Sequence, residues 1–190
     1  MMKELIEKNR SFRRFYREET LTMDALKSFV NLARLSASAG NLQPLKYILS
    51  ATPERNELIF SCLSWAVYLK DWKGPKLEER AAAYIIILGD LRISKNFGCD
   101  HGIAAQSILL GAREEGYGGC IVASINRENL RKSLNISEKY EILLVIAIGK
   151  PREEVVIEEV SADGNIKYWR DDKAVHHVPK RRLEEIIVDN

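Results

Sequence analysis

Between Gly102 and Ala112 the chain carries no charged side chain. Ile103, Ala104, Ala105, Ile108, Leu109, Leu110 and Ala112 cover nearly every direction around a helix. A surface helix carries an apolar stripe with polar residues opposite. A helix that is apolar almost all round has to be buried on several sides at once. Arg113, Glu114 and Glu115 supply a polar last turn, and Gly116 stands where a left-handed cap ends a helix. Gly118 and Gly119 then lead into the apolar run Cys120-Ile121-Val122-Ala123, which reads as a strand. A central helix therefore feeds through a glycine turn into a strand. In a chain of 190 residues, burial of that helix on all sides points to a second subunit covering one face.

The rest of the chain supplies layers for this helix to pack in. Residues 2 to 8 read as a short charged amphipathic helix, followed by the basic segment Arg10-Ser11-Phe12-Arg13-Arg14-Phe15. Thr22 is a plausible N-cap for a helix running to Leu35, with Leu26, Phe29, Val30 and Ala33 on its apolar face. The loop Ser36-Ala37-Ser38-Ala39-Gly40-Asn41-Leu42-Gln43-Pro44 consists largely of small residues. A backbone can approach a ligand closely there, although Gly and Pro also punctuate ordinary connections. Residues 47–51, 82–88, 120–124 and 141–148 read as strands, the second and fourth as continuous apolar runs. Gly149-Lys150-Pro151 is expected to stop the last of them. Residues 54–62 and 126–134 read as helices, and 65–76, with two Trp and a Gly-Pro break, as an irregular excursion. The last forty residues look polar and irregular until a short helix from Leu183 to Val188. The length suits one domain over residues 1–190 with its own core.

Several classes of function drop out. A net charge of +2 gives no global attraction to nucleic acid or to a membrane surface. The basic clusters at 10–17 and 180–182 remain, and solvated faces are their bland explanation. Cys62, Cys99 and Cys120 are odd in number and widely spaced, which argues for a reducing compartment, by default the cytoplasm. No stretch is long enough for a membrane span, and the charged N-terminus is not a signal peptide. No Gly-x-Ser-x-Gly elbow, His-Glu-x-x-His pair or Walker-type phosphate loop is present. Gly116-Tyr117-Gly118-Gly119 precedes a strand rather than following one, so it is no dinucleotide fingerprint. Cys99-Asp100-His101 has the residue types of a Cys–His pair but not the spacing. With three His in total, no metal site is expected.

Taken in order, separate pieces resemble the nitroreductase-like FMN flavoproteins. They are Arg10-Ser11-Phe12-Arg13-Arg14-Phe15, the small-residue loop ending Asn41-Leu42-Gln43-Pro44, and the central helix from Asp100 through Gly102-Ile103-Ala104-Ala105-Gln106-Ser107 to Leu110. The turn Glu115-Gly116-Tyr117-Gly118-Gly119-Cys120, the strand Glu141 to Pro151 and the terminal Pro179-Lys180-Arg181 complete the set. The resemblance implies an α+β fold with a central, mostly antiparallel sheet flanked by helices, and an intertwined homodimer with FMN between the subunits. It implies that Arg10, Ser11, Arg13, Lys180 and Arg181 hold the FMN phosphate, a dianion suited to planar guanidinium groups. Ala37, Ser38 and Ala39, from the second subunit, would lie against the flavin ring, with Asn41 and Gln43 as polar contacts or braces. Ala123 and Ser124 would offer backbone N–H groups to the flavin N5 and O4 edge.

The activity so implied is FMN-dependent NAD(P)H oxidoreduction of the nitroreductase, flavin-reductase or quinone-reductase type. NADH or NADPH and a small aromatic or quinone-like acceptor would take turns at the flavin. No catalytic side chain is needed, because the hydride chemistry belongs to the cofactor. The alternative is an FMN-binding redox sensor or carrier without turnover. Two departures stand out: Asn9 replaces an arginine that many relatives carry before the Arg-Ser pair, and Ala37 and Leu45 replace a proline and an aromatic in the small-residue loop. Trp65, Tyr68, Trp72, Tyr168 and Trp169 suit packing more than a flavin cover, and His176 and His177 read as a solvated loop.

Overall fold

β3 (Ala83–Asp90) is buried at every one of its positions, and it is the strand on which the two layers of core meet. Side chains alternate along a strand, so Ala83, Ile85 and Ile87 point into one core while Tyr84, Ile86 and Leu88 point into the other. That is why the run 82–88 is apolar throughout rather than at every second residue. The computed structural model describes residues 2–188.

β3 pairs antiparallel with β2 (Leu45–Ser50) on one side and with β5 (Tyr140–Pro151) on the other. The far edge of β5 is shared. Its residues 145–149 pair with β4 (Gly118–Val122), and Lys150 and Pro151 pair with β1 (Phe15–Tyr16). Gly149-Lys150-Pro151 therefore extends the strand instead of stopping it. Gly149 lies flat against Phe15, where a Cβ would sit 3.0 Å from the ring, and Pro151 falls at the end, where the missing N–H costs no ladder bond.

One face of the sheet is covered by α2 (Met23–Leu35) and α4 (Asp100–Glu114). Thr22 caps α2, its hydroxyl accepting the Ala25 N–H at 3.1 Å. Gly111 lets the two helices touch: a Cβ there would meet Leu32 Cδ1 at 2.2 Å. α4 starts two residues before the apolar run and buries Ala104, Ala105, Ile108, Leu109, Gly111 and Ala112. It is not covered all round in a single chain, since Gly102, Ile103 and Gln106 form an exposed strip. Gly116, at φ +82°, ends it in the left-handed region as expected. The opposite face of the sheet is covered by α3 (Pro53–Phe60) and α5 (Arg127–Leu134), with Phe12 and Phe15 beneath the N-terminal segment. α1 (Met2–Lys8) packs near α4 with no buried residue of its own.

The C-terminal region differs most from expectation. β6 (Val155–Glu159), β7 (Trp169–Arg170) and β8 (His176–Lys180) form a second sheet in the order β6-β8-β7, with β6 and β8 parallel. Its strands are short and mixed in polarity, so no local periodicity announces them. α6 (Leu183–Ile186) follows, shorter than the expected 183–188.

Candidate functional site

Gly118 and Gly119, which open β4, let the basic N-terminal segment cross the sheet edge. Phe12 N–H donates to Gly119 O at 3.0 Å, and Ser11 bridges to Gly119 as a parallel neighbour. A Cβ on Gly118 would lie 2.5 Å from the Phe12 ring. Phe12 and Phe15 are thus anchored in the core, and Arg10, Ser11 and Arg13 are left on the side that faces β8. Glu153, whose side chain is fully buried, fixes the segment from the other side. One carboxylate oxygen accepts the backbone N–H groups of Arg13 and of Arg14, the latter at 3.2 Å, and the other takes Arg170 Nη2 at 2.8 Å.

The result is a cavity of about 280 Å³ walled by Asn9, Arg10, Ser11 and Arg13, by Gln106 and Leu109 of α4, by Ile121 of β4, and by Tyr168, His176, Val178 and Lys180. Three cations and no carboxylate line it. Arg10 donates to Ile6 O at 2.8 Å, and burial draws its pKa below the ordinary arginine value. It stays charged nonetheless. Arg13 Nη1 is 3.3 Å from Ser11 O and 3.3 Å from His176 Nε2, with the guanidinium 5.0 Å from the Tyr168 ring centre. Asn9 Oδ1, Arg10 Nε and His176 Nδ1 are buried without hydrogen-bond partners among the described residues. Buried polar groups are normally paired, so the walls are short of partners in the way a polar ligand would supply.

Of the residues expected at a phosphate, Arg10, Ser11, Arg13 and Lys180 therefore converge, from opposite ends of the chain. Arg181, the next residue along, does not line the cavity. Ala37, Ser38 and Gln43 line a different hollow, of about 190 Å³, with Asp100 and Tyr47. There Asp100 braces the small-residue loop, accepting from Ser38 Oγ at 2.6 Å and from Ala39 N–H at 3.0 Å, while Gln43 N–H donates to Ser38 Oγ at 3.0 Å. Gly40, Asn41 and Gln43 all have positive φ. Ala39 and Asn41 shape the loop without lining the hollow. Burial and the neighbouring Asp100 push the Tyr47 phenol up to about 12. The two hollows share no residue. Ala123 and Ser124 follow β4, exposed, and line neither; Ser124 O accepts the Ser64 N–H at 2.9 Å.

Some neighbours of the cavity were not legible as such. His176 is 1 % exposed rather than solvated. His177 contacts Glu158 and Asp171, which raise its pKa, and stacks on Trp169 at 4.1 Å. Tyr168 is in the wall, backed by Tyr68 at 4.9 Å. Trp65 packs on Phe60, and Trp72 lies under Arg170 at 4.4 Å. Asn9 and Gln106 belong to the wall as well. For Asn9 the one hint is its place immediately before the Arg-Ser pair.

No cluster of His, Cys, Asp and Glu suited to a metal ion occurs among the described residues. None of their helices is long and apolar enough to cross a membrane. The model of the Nitroreductase family matches residues 6–150. A provisionally named NADH dehydrogenase/NAD(P)H nitroreductase of Archaeoglobus fulgidus is 26% identical over 149 residues, covering 74% of this chain and 80% of that one. Among solved structures, a nitroreductase family protein of Streptococcus pneumoniae TIGR4 superposes with a TM-score of 0.69 at 16% identity over 100% of both chains. An FMN-dependent nitroreductase of Clostridium difficile R20291 does so with a TM-score of 0.62 at 24% identity, over 79% of this chain and 87% of that one.

Proposed function

Because the chain belongs to the nitroreductase family, we propose that it is an FMN-dependent NAD(P)H oxidoreductase acting on small aromatic or quinone-like acceptors. The observation that carries this reading is the acid-free cavity in which Arg10, Arg13 and Lys180 meet. A phosphate dianion suits such a set, since bonds between ionised partners are about twice as strong as neutral ones. The residues present fit FMN: charged donors for a phosphate, unpaired buried polar atoms in the same walls, and Leu109, Ile121 and Val178 as apolar surface.

In this reading Arg10, Ser11, Arg13 and Lys180 hold the phosphate, with Arg181 adjacent to it. Bound FMN would supply the hydride-accepting and hydride-donating chemistry; the chain supplies binding, orientation and electrostatics. Glu153 keeps the arginine segment in place through the backbone N–H groups of Arg13 and Arg14. The Asp100-braced loop, with Ala37, Ser38, Ala39, Asn41 and Gln43, would act across a homodimer interface, and Ala123 and Ser124 would present backbone N–H groups at the flavin edge. The exposed strip Gly102, Ile103 and Gln106 of α4, together with exposed Leu35 of α2, supports such an interface.

An absorption spectrum before and after anaerobic NADH and NADPH tests the proposal. A flavin spectrum that bleaches, with FMN released on denaturation, is expected. Protein that stays colourless with excess FMN overturns it, and bound flavin that neither nucleotide bleaches points instead to a sensor or carrier.

A further inference from the structure

His176 opens β8 with its backbone N–H on Glu154 O at 2.9 Å and its ring against Tyr168, centres 5.2 Å apart. Its Nε2 is 3.3 Å from Arg13 Nη1. A guanidinium has donors and no acceptor, so Nε2 accepts this bond and the ring proton sits on Nδ1. Burial, aided by the charged groups that act on the ring, Arg13, Arg170 and His177, holds its pKa at about 4. The imidazole is neutral near pH 7.

The consequence falls on Arg13. Its neighbours in the fold are matched with carboxylates: Arg14 with Glu79, Arg170 with Glu153, and Arg17 and Arg80 with Glu57. Arg13 has no carboxylate partner among the described residues. Its guanidinium is held by Ser11 O, by His176 Nε2 and by the face of Tyr168, all uncharged. Glu153, close enough to bond the Arg13 backbone N–H, directs its second oxygen to Arg170 instead.

We propose that His176 is a positioning residue for the anion subsite: its imidazole holds the Arg13 guanidinium at the cavity wall without neutralising it, leaving that charge for a ligand phosphate. This rests on the reading of the cavity as an FMN phosphate site. It makes His176 a determinant of the preference for a phosphorylated flavin over the same flavin without phosphate. A carboxylate at this position would hold Arg13 as firmly and cancel the charge.

The test is titration of FMN and of riboflavin, followed by flavin fluorescence, with the intact protein and three variants. His176→Phe keeps the packing against Tyr168 and removes the acceptor. It is expected to weaken FMN about tenfold, the scale of one charge-assisted bond, and to leave riboflavin unchanged. His176→Gln, which returns an acceptor, is expected to recover most of the FMN affinity. His176→Glu is expected to lose FMN affinity selectively even if His176→Phe fails to fold. Equal losses for both flavins, or a His176→Glu protein that binds FMN like the parent, overturn the role of His176 alone. A parent protein that binds FMN no better than riboflavin overturns the phosphate site and this inference together.

Discussion

Arg13 and Arg14 are adjacent in sequence and have opposite environments. Arg14 is paired with Glu79, which is 7 % exposed, and the pairing lowers the Glu79 pKa and raises that of Arg14. Arg13 faces the cavity without a counter-charge. Arg14→Ala is therefore expected to destabilise the fold by about 1–3 kcal/mol, the cost of leaving a buried polar group unsatisfied, seen as a lower urea midpoint. Arg13→Ala should lower that midpoint less, since it orphans the neutral His176 Nε2 rather than a buried carboxylate, and should weaken FMN binding by roughly tenfold to a hundredfold, the range for a hydrogen bond to a charged group. His176 adds a pH dependence. Its pKa falls from 6.5 to about 4 on folding, so between those values the unfolded chain binds the extra proton. The stabilisation is complete above pH 6.5 and is lost as the pH falls towards 4. His177, with its pKa raised, works in the opposite sense and above pH 6.5, so the windows do not overlap. Urea unfolding at pH 7 and pH 4.5 should show a smaller acid loss in His176→Phe than in the parent. Sequence shows that these positions are basic or imidazole. It does not show which arginine is neutralised, because Glu79 reaches Arg14 from 65 residues away and Glu153 bonds only the backbone N–H groups of Arg13 and Arg14 while its charge is met by Arg170.

At the scale of elements, the two glycines that open β4 join the sheet to the site. A Cβ on Gly119 would lie 2.4 Å from Ala147 O and 2.7 Å from Leu109 Cδ2. Gly119→Ala is expected to cost about 1–3 kcal/mol, as overpacking does. It should also lower FMN affinity, because Phe12 hangs the basic segment on Gly119 O; thermal melts and flavin titration check the two effects. The loop at 36–44 depends on Asp100 in the same way. Asp100→Ala should speed hydrogen exchange at the Ala39 amide, which loses its acceptor. Elements with a strong local pattern were legible. The Thr22-capped helix, the apolar run of β3 and the glycine-ended α4 are each specified by residues within one stretch. β6, β7 and β8 were not legible, because their pairing partners lie 6 to 21 residues away and their side chains mix polar with apolar.

At the scale of the whole molecule, the exposed strip on α4 and the apolar tail beyond Arg182, with Leu183, Ile186, Ile187 and Val188 all exposed, leave surface for a second copy to cover. Sedimentation is expected to give twice the chain mass, and Ile103→Glu to shift it towards one chain mass with loss of FMN affinity. By itself the sequence determined the layers: which stretches are buried, where helices are capped, and that a basic segment and a small-residue loop exist in a set resembling a known family. Those properties follow from near neighbours, where periodicity and capping act over a few residues. Only the tertiary structure decided that Arg10 and Lys180 share a cavity, that His176 is buried and neutral beside Arg13, and that the small-residue loop belongs to a separate hollow. Each depends on contacts between segments far apart in the chain, and burial, which sets both charge state and partner, does not exist until those segments meet.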